Sequence, residues 1–210
     1  MTVTTKFPVT LEDRLELGAG EVRFPATFEE FVELLEICDY SIEFQEDEII
    51  IMSIASDPHE QIVANFLGIL YGIFKGNPDF KRYGSNRHVF LPDYPAAYSP
   101  DASVVKGQPE IFEYAPGKTA NLNPWLLLEV LSDSTRNKDL NEKLPRYKTT
   151  LSLQYIIITE QTLPKVTVHR RSSSNFSWES DDYKGLEQSF DLFGKQVLLA
   201  DIFENVILQG

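Results

Sequence analysis

The sequence has few of the residues that form thiol and zinc sites. It contains one cysteine, Cys38, and three histidines among 210 residues. A single cysteine excludes an internal disulfide and is typical of a protein in a reducing cytoplasm. With so few cysteine and histidine ligands, a structural zinc site is not expected.

Long apolar runs are also missing. The longest uncharged run covers residues 61–74, whereas a bilayer-spanning helix needs about 20 apolar residues. The N-terminus lacks the apolar core of a signal peptide. We therefore expect a cytoplasmic protein that does not enter a membrane.

Positive charge is scarce as well. The net charge is −13 and the pI is near 4.6, whereas nonspecific binding to nucleic acid normally relies on a basic surface. Any contact with DNA would need a local basic patch or a bound cation.

The 42% hydrophobic and 24% charged composition is that of a globular protein. Residues 1–22 lack periodicity and predict a mostly loose lead-in, followed by a single domain over residues 23–210.

Several familiar signatures are incomplete. Gly18 and Gly20 begin a dinucleotide-binding fingerprint, but Arg23 stands where its last glycine belongs. His59 begins a zinc-protease motif, but Val63 replaces the second histidine. The sequence also lacks a P-loop and a nucleophile elbow. These classes of enzyme are excluded.

The chain is organised around residues 124–132, a bulky apolar run with the length of a strand. A strand that is apolar at successive positions belongs inside a covered sheet. Glu129 interrupts the run near its carboxyl end, and a buried carboxylate needs a charged partner, a metal or solvent. Since ligand sites of α/β sheets gather at that end of strands, Glu129 is the first candidate functional residue.

The remaining pattern predicts strands and helices on both sides of this run. Three helices are expected: one capped at Thr27, one beginning with Asp57 as its cap, and one around residues 139–148, with Pro145 inside it. Other expected strands cover residues 40–45, 48–53, 80–85, 87–91, 102–106, 154–159, 165–171, 176–183 and 196–199. Segments 92–98 and 107–123 are predicted loops. The length of the connection after Ser132 allows a right-handed β-α-β crossover.

Two carboxylates mark the ends of predicted strands. Asp101 opens one strand and Glu129 lies near the end of another, a pair that suits Mg²⁺ with water and phosphate as further ligands. Lys143 on the crossover helix could orient a water or stabilise phosphoryl charge. Asp139, Lys143 and Tyr147 share one face of that helix.

Each of these residues also has a purely structural interpretation. Asp101 follows a proline and fits a turn, Glu129 could pair with an arginine, and Lys143 could be a solvated helical lysine. His59 could make only a local hydrogen bond in the first turn of its helix, and Glu43 could be a solvated strand residue. Spacing alone leaves these alternatives open.

Together, Pro100–Asp101, the run Leu128–Glu129–Val130–Leu131–Ser132, and the helical Asp139, Lys143 and Tyr147 before an apolar strand resemble a known family. The match is to the Uma-two putative restriction endonucleases of the PD-(D/E)xK nuclease superfamily, over about residues 27–203. Glu43 and His59 stand at matching positions.

The resemblance implies an α/β (α+β) fold, with a mixed central sheet flanked by helices and a restriction-endonuclease-like core with extra antiparallel strands. It implies a Mg²⁺ (or Mn²⁺) centre held by Asp101 and Glu129. Leu131 occupies the usual lysine position, and Lys143 takes its place from the following helix. The supporting residues would be Glu43, His59, Ser132, Asp139 and Tyr147.

The resulting hypothesis is a metal-dependent endonuclease that hydrolyses DNA phosphodiester bonds. Lys138, Arg146 and Lys148, with Lys143, would form a basic strip for nucleic acid. The alternatives are a catalytically weak or inactive binding or assembly module of the same fold, and an enzyme for a small phosphodiester. The apolar trailing strands are compatible with a homodimer.

Overall fold

The structure is a computed structural model that describes residues 6–18, 20–172 and 177–208. Its helices are α1 (Leu11–Glu16), α2 (Phe28–Ile37), α3 (Asp57–Phe74), α4 (Arg136–Lys138), a π-helical segment π1 (Asp139–Lys143), α5 (Leu144–Tyr147) and α6 (Leu199–Ile202). None of these described helices is both long enough and apolar enough to cross a membrane.

Two large mixed sheets form the body of the protein. The first, sheet A, contains β1 (Val22–Pro25), β2 (Ile42–Gln45), β3 (Glu48–Ile51), β5 (Val89–Leu91), β6 (Ala96–Tyr98), β8 (Ile111–Ala115) and β9 (Lys118–Asn121), in the order β1-β3-β2-β6-β5-β9-β8. The second, sheet B, contains β4 (Phe80–Gly84), β7 (Ala102–Lys106), β10 (Pro124–Leu131), β11 (Tyr155–Glu160), β12 (Lys165–Arg171) and β13 (Trp178–Lys184), in the order β13-β12-β11-β10-β7-β4. A hairpin of β14 (Ser189–Leu192) and β15 (Lys195–Leu198) follows.

Strand β10 lies inside sheet B, as its apolar run predicted. All eight of its residues are buried, and it pairs in parallel with β11 and antiparallel with β7. Because strand side chains alternate between faces, Leu126 and Leu128 pack into the core cluster that contains α3, whereas Leu127 packs against Tyr147 on the other face. Glu129 shares the face of Leu127. The predicted mixed sheet and β-α-β crossover are confirmed.

Three short strands lie in segments that were predicted to be loops. Strand β6 lies inside segment 92–98, and β8 and β9 form a hairpin inside segment 107–123. The β6 prediction failed because three residues give too short a pattern to read. The hairpin turns at Gly117, which has a positive φ of 79°, and the surrounding glycine and asparagine residues concealed its strands.

The structure adds detail near two helix starts. The predicted loose lead-in contains α1, which has a capping box at Thr10 and a buried Arg14 that donates to the carbonyls of Gly18 and Met52. Helix α3 is capped by Ser56 rather than Asp57, since the Ser56 hydroxyl accepts from the amide of His59. The division into lead-in and single domain stays a prediction.

The crossover helix changes its hydrogen-bond pattern just before Pro145. The amide of Leu144 donates to the carbonyl of Asp139, five residues earlier, which is the π-helical pattern. Proline has no amide hydrogen, so an α-helical bond to Asn141 could not form there. The predicted irregularity is therefore a π-helical segment, and it carries both Asp139 and Lys143.

The turn between β2 and β3 offers a stability test. Glu46 and Asp47 have positive φ angles of 51° and 58°, which are unfavourable for residues with a Cβ. We expect Asp47→Gly to raise the free energy of unfolding by about 0.5–1 kcal/mol, measured by urea denaturation. Glu33→Gly, at an exposed position of α2, should instead lower it by about 1 kcal/mol. Destabilisation by Asp47→Gly would contradict this account of the turn.

Candidate active site

The candidate site is a cavity of about 440 Å³ near the junction of the two sheets. The chain leaves sheet A at Tyr98 and enters sheet B at Ala102, so Asp101 lies in the connecting segment. Asp101, Glu129, Asp139, Lys143 and His59 all line the cavity. Residues far apart in the sequence are therefore brought to one place.

Asp101 is held by two protein donors. Its Oδ2 accepts from the amide of Val130 at 2.7 Å, and its Oδ1 lies 3.0 Å from Nε2 of His59. The first bond places Asp101 beside Glu129, because Val130 is the next residue of β10. The second bond joins His59 to a residue outside its own helix, Asp101. Each oxygen still has a lone pair for a further partner.

Glu129 is only 3% exposed and is held by the crossover helix. Tyr147 donates to Oε1 at 2.7 Å, and Nζ of Lys143 lies 3.4 Å from the same oxygen. Burial raises the pKa of Tyr147 well above its ordinary value, so its hydroxyl stays protonated as a donor. No donor among the described residues reaches Oε2.

Lys143 is surrounded by carboxylates and is 1% exposed. Its Nζ lies 3.0 Å from Glu43, 3.3 Å from Asp139 and 3.4 Å from Glu129. Burial alone would lower its pKa, but Glu129, Glu43 and Asp139 raise it well above the ordinary value. The lysine is therefore a fixed cation and can stabilise negative charge, but it cannot accept a proton at neutral pH.

Glu43 supports this lysine from sheet A. It is 0% exposed and accepts from the amide of Ser99 at 2.7 Å. Lys138 lies 2.6 Å from its other oxygen. Burial raises the pKa of Glu43, but Lys138 and Lys143 outweigh that effect and lower it to about 2. The solvated interpretations of Glu43 and Lys143 are therefore wrong.

Carboxylates outnumber cations in this buried cluster. Burial raises the pKa of Glu129 well above its ordinary value, and Asp139, Asp101 and Glu43 add to this rise while Lys143 opposes it. Burial likewise raises the pKa of Asp139. A surplus of negative charge away from water favours the entry of a cation.

This donor set fits a hard divalent cation. Asp101 and Glu129 offer carboxylate oxygens, which Mg²⁺ and Mn²⁺ prefer. Among the residues that the structure describes, no three His, Cys, Asp or Glu side chains are grouped closely enough to hold a metal by themselves. Mg²⁺ commonly binds through one or two carboxylates together with water and substrate phosphate.

The predicted basic strip is not an exposed surface. Lys138 is 3% exposed and pairs with Glu43 and Glu21, and Lys143 is buried. Arg146 donates to the hydroxyl of Tyr98 and forms an ion pair with Glu46. Lys148 is half-buried, which lowers its pKa. Lys138 therefore belongs to the buried cluster rather than to a surface for nucleic acid.

Other contacts of the site were partly visible in the sequence. Ser132 accepts from the amide of Thr135, and it lines the cavity. The ion pairs of Lys138 with Glu21 and Glu43 were not predicted, because they join three distant parts of the chain. Ser99, which bonds Glu43 through its amide, was missed for the same reason. Only its position two residues before Asp101 could have suggested it.

The pair of His59 and Asp101 predicts a pH-dependent effect on stability. Burial lowers the pKa of His59, but Asp101 outweighs burial and raises it above 6.5. The stability that the ionised pair contributes is therefore complete below pH 6.5, and it is lost as the pH rises through the folded-state pKa of His59. We expect His59→Asn to lower the free energy of unfolding by about 1–2 kcal/mol at pH 5.5 and by less at pH 8.5.

Urea denaturation at both pH values measures this effect, with His169→Asn as the control. Burial lowers the pKa of His169 to about 4, so wild-type stability relative to that variant should be greatest above pH 6.5. Equal losses for His59→Asn at the two pH values would contradict an ionised pair.

The fold and the site define a class of protein. It is an α/β protein with a mixed sheet, paired carboxylates at the ends of adjacent strands, and a lysine on the crossover helix between two parallel strands. The family model of Uma2, described as a putative restriction endonuclease, matches residues 28–202. The chain belongs to this family.

Individual relatives agree with this assignment. An uncharacterized protein of Synechocystis sp., sll1609, is 26% identical over 145 residues, which are 69% of this chain and 80% of the relative. A crystal structure of a putative nuclease belonging to DUF820 from Anabaena variabilis superposes with a TM-score of 0.67. It covers 85% of this chain and 98% of the other at 16% identity, which establishes a common fold.

Proposed function

We propose that this protein is a metal-dependent nuclease that hydrolyses phosphodiester bonds in DNA. The observation that carries the proposal is the convergence of Asp101, Glu129 and Lys143 on one cavity. The family description and the nuclease described in the fold neighbour support the same reaction class.

Asp101 and Glu129 would hold Mg²⁺ or Mn²⁺. When bound, the metal would neutralise phosphate charge and supply a water of lowered pKa. His59 and the amide of Val130 orient Asp101, and Tyr147 orients Glu129. These contacts fix both carboxylates before substrate arrives, as catalysis by positioning requires.

Lys143 supplies the charge for the phosphoryl centre. Its ammonium is already desolvated and oriented by Glu43, Asp139 and Glu129. Negative charge that develops on a phosphate in the cavity would therefore be stabilised without reorganisation of water. The leaving oxygen would receive its proton from solvent.

The test is cleavage of plasmid DNA and of a short labelled duplex with Mg²⁺, with Mn²⁺ and with EDTA. We expect cleavage with either metal and none with EDTA. Asp101→Asn and Glu129→Gln should each reduce the rate by at least about a hundredfold. The matched controls Asp79→Asn and Glu113→Gln, at exposed positions, should keep the wild-type rate. Unchanged cleavage by Glu129→Gln would show that the site lies elsewhere.

Two observations favour a second candidate, a nuclease-fold binding or assembly module without activity. The net charge is −13, and Lys138 and Lys143 are committed to buried ion pairs. Titration calorimetry separates the candidates, because an enzyme should bind Mn²⁺ in a way that Asp101→Ala abolishes. A module would bind no metal in either protein.

Competition between duplex DNA and a small chromogenic phosphodiester would identify the preferred substrate, and size measurement would test the predicted homodimer.

A further inference from the structure

Ser99 has a buried hydroxyl that the fold does not use. The residue lines the cavity in the segment between β6 and β7, and it is 6% exposed. Its Oγ has no hydrogen-bond partner among the described residues. Buried hydroxyls are normally bonded, and leaving one without a protein partner costs stability. Inside a candidate active site, such an unpartnered hydroxyl is available to a ligand.

The backbone of Ser99 shares a partner with the buried lysine. The Ser99 amide donates to Oε1 of Glu43 at 2.7 Å, and Nζ of Lys143 lies 3.0 Å from the same oxygen. Glu43 therefore fixes the segment of Ser99 and the Lys143 ammonium together. Both residues line the cavity with Asp101 and Glu129.

We propose that the Ser99 hydroxyl donates a hydrogen bond to a non-bridging oxygen of the substrate phosphate, next to Lys143. The proposal rests on the proposed phosphodiesterase function and adds a substrate-contacting residue to it. A neutral donor suits this position because the lysine already supplies the positive charge. The hydrogen bond strengthens as charge grows on the phosphate oxygens in the transition state.

Ser103 provides a matched control within the same chain. It lies on β7, is 0% exposed, and its Oγ also has no hydrogen-bond partner among the described residues. Ser103 is not among the residues that line the cavity. Ser99→Ala and Ser103→Ala therefore remove equivalent unpartnered hydroxyls, one at the cavity and one away from it. Both variants should fold with an unchanged or higher Tm.

The experiment measures kcat and KM for cleavage of the short labelled duplex with Mn²⁺. We expect Ser99→Ala to lower kcat about ten- to a hundredfold, with KM within about twofold of wild type. Ser103→Ala should keep both constants. This difference at equal Tm would support the contact with the reacting phosphate.

Other results would overturn the assignment. Wild-type kcat in Ser99→Ala would mean that the hydroxyl is not used in the reaction. A rise in KM alone would place its contact away from the reacting phosphate. Failure of the wild-type protein to cleave any substrate would overturn the proposed function itself, and the role of Ser99 with it.

Discussion

Glu43→Gln is expected to lower the free energy of unfolding by about 3–5 kcal/mol at pH 7, although glutamine has nearly the same size and shape as glutamate. The carboxylate lies between Lys138 and Lys143, at 2.6 and 3.0 Å, and is 0% exposed. Removing one member of a buried ion pair leaves the partner's charge buried without compensation, and this uncompensated charge causes most of the loss in stability. Urea denaturation measures the loss.

The pH dependence of this loss has a definite sign. The folded-state pKa of Glu43 is lowered to about 2 from an ordinary 4.5. Its contribution is therefore complete above pH 4.5 and is lost as the pH falls toward 2. The difference between wild type and Glu43→Gln should shrink over that interval. A constant difference would mean that the ionised carboxylate is not what stabilises the fold.

Glu129→Gln is the matched control, because both glutamates are buried and contact Lys143. The folded-state pKa of Glu129 is raised rather than lowered, so its ionised form opposes folding at neutral pH. We expect this variant to keep or increase its free energy of unfolding while it loses cleavage. Of the two glutamates that contact Lys143, Glu43 would therefore stabilise the fold, whereas Glu129 would serve the reaction and not stability. Such a trade-off between stability and function is frequent at active sites.

Lys143→Met is expected to have the largest combined effect. The change removes the cation common to Glu43, Asp139 and Glu129 and leaves these carboxylates to repel one another in a buried place. We expect a loss of about 3–5 kcal/mol at pH 7.5. Cleavage should fall at least about a thousandfold, since the fixed charge at the phosphate is lost.

This variant should recover stability in acid. Without the lysine, the attraction that opposes burial at these three carboxylates is lost, and their folded-state pKa values rise. The resulting penalty grows as the pH rises and fades as the pH falls toward the unfolded values. Denaturation at pH 5.5 and 7.5 tests this trend, and Lys184→Met, at an exposed position of β13, is the control. Equal losses at both pH values would contradict the repulsion.

Much of sheet B could be predicted because its signals are local. The unbroken apolar residues of β10 and β11, and the connection between them, indicated a parallel pair inside a covered sheet. Asp101 and Glu129 could be proposed as neighbours because each stands at a strand end. The position of Lys143 on the crossover helix linked it to them before the resemblance to the family did, and the structure brings all three to one cavity.

Sheet A and the charge cluster were harder to predict. Strand β6 has three residues and no readable period, and β8 and β9 lie among turn-forming residues. Lys138 was assigned to a solvent-facing strip because a helical lysine is usually exposed. Its burial depends on Glu43 and Glu21, which approach from other parts of the chain. Such long-range pairing leaves no local pattern in a sequence.

The connection of the two sheets through residues 99–101 also has a consequence for folding kinetics. Glu43 belongs to sheet A and Glu129 to sheet B, and Lys143 reaches both from the crossover helix. Neither sheet alone contains a complete site. Contacts between residues so distant in sequence form late, because the intervening chain must be ordered first. Recovery of activity after dilution from denaturant should therefore follow the last step of assembly, and a chain with only one sheet formed would be inert.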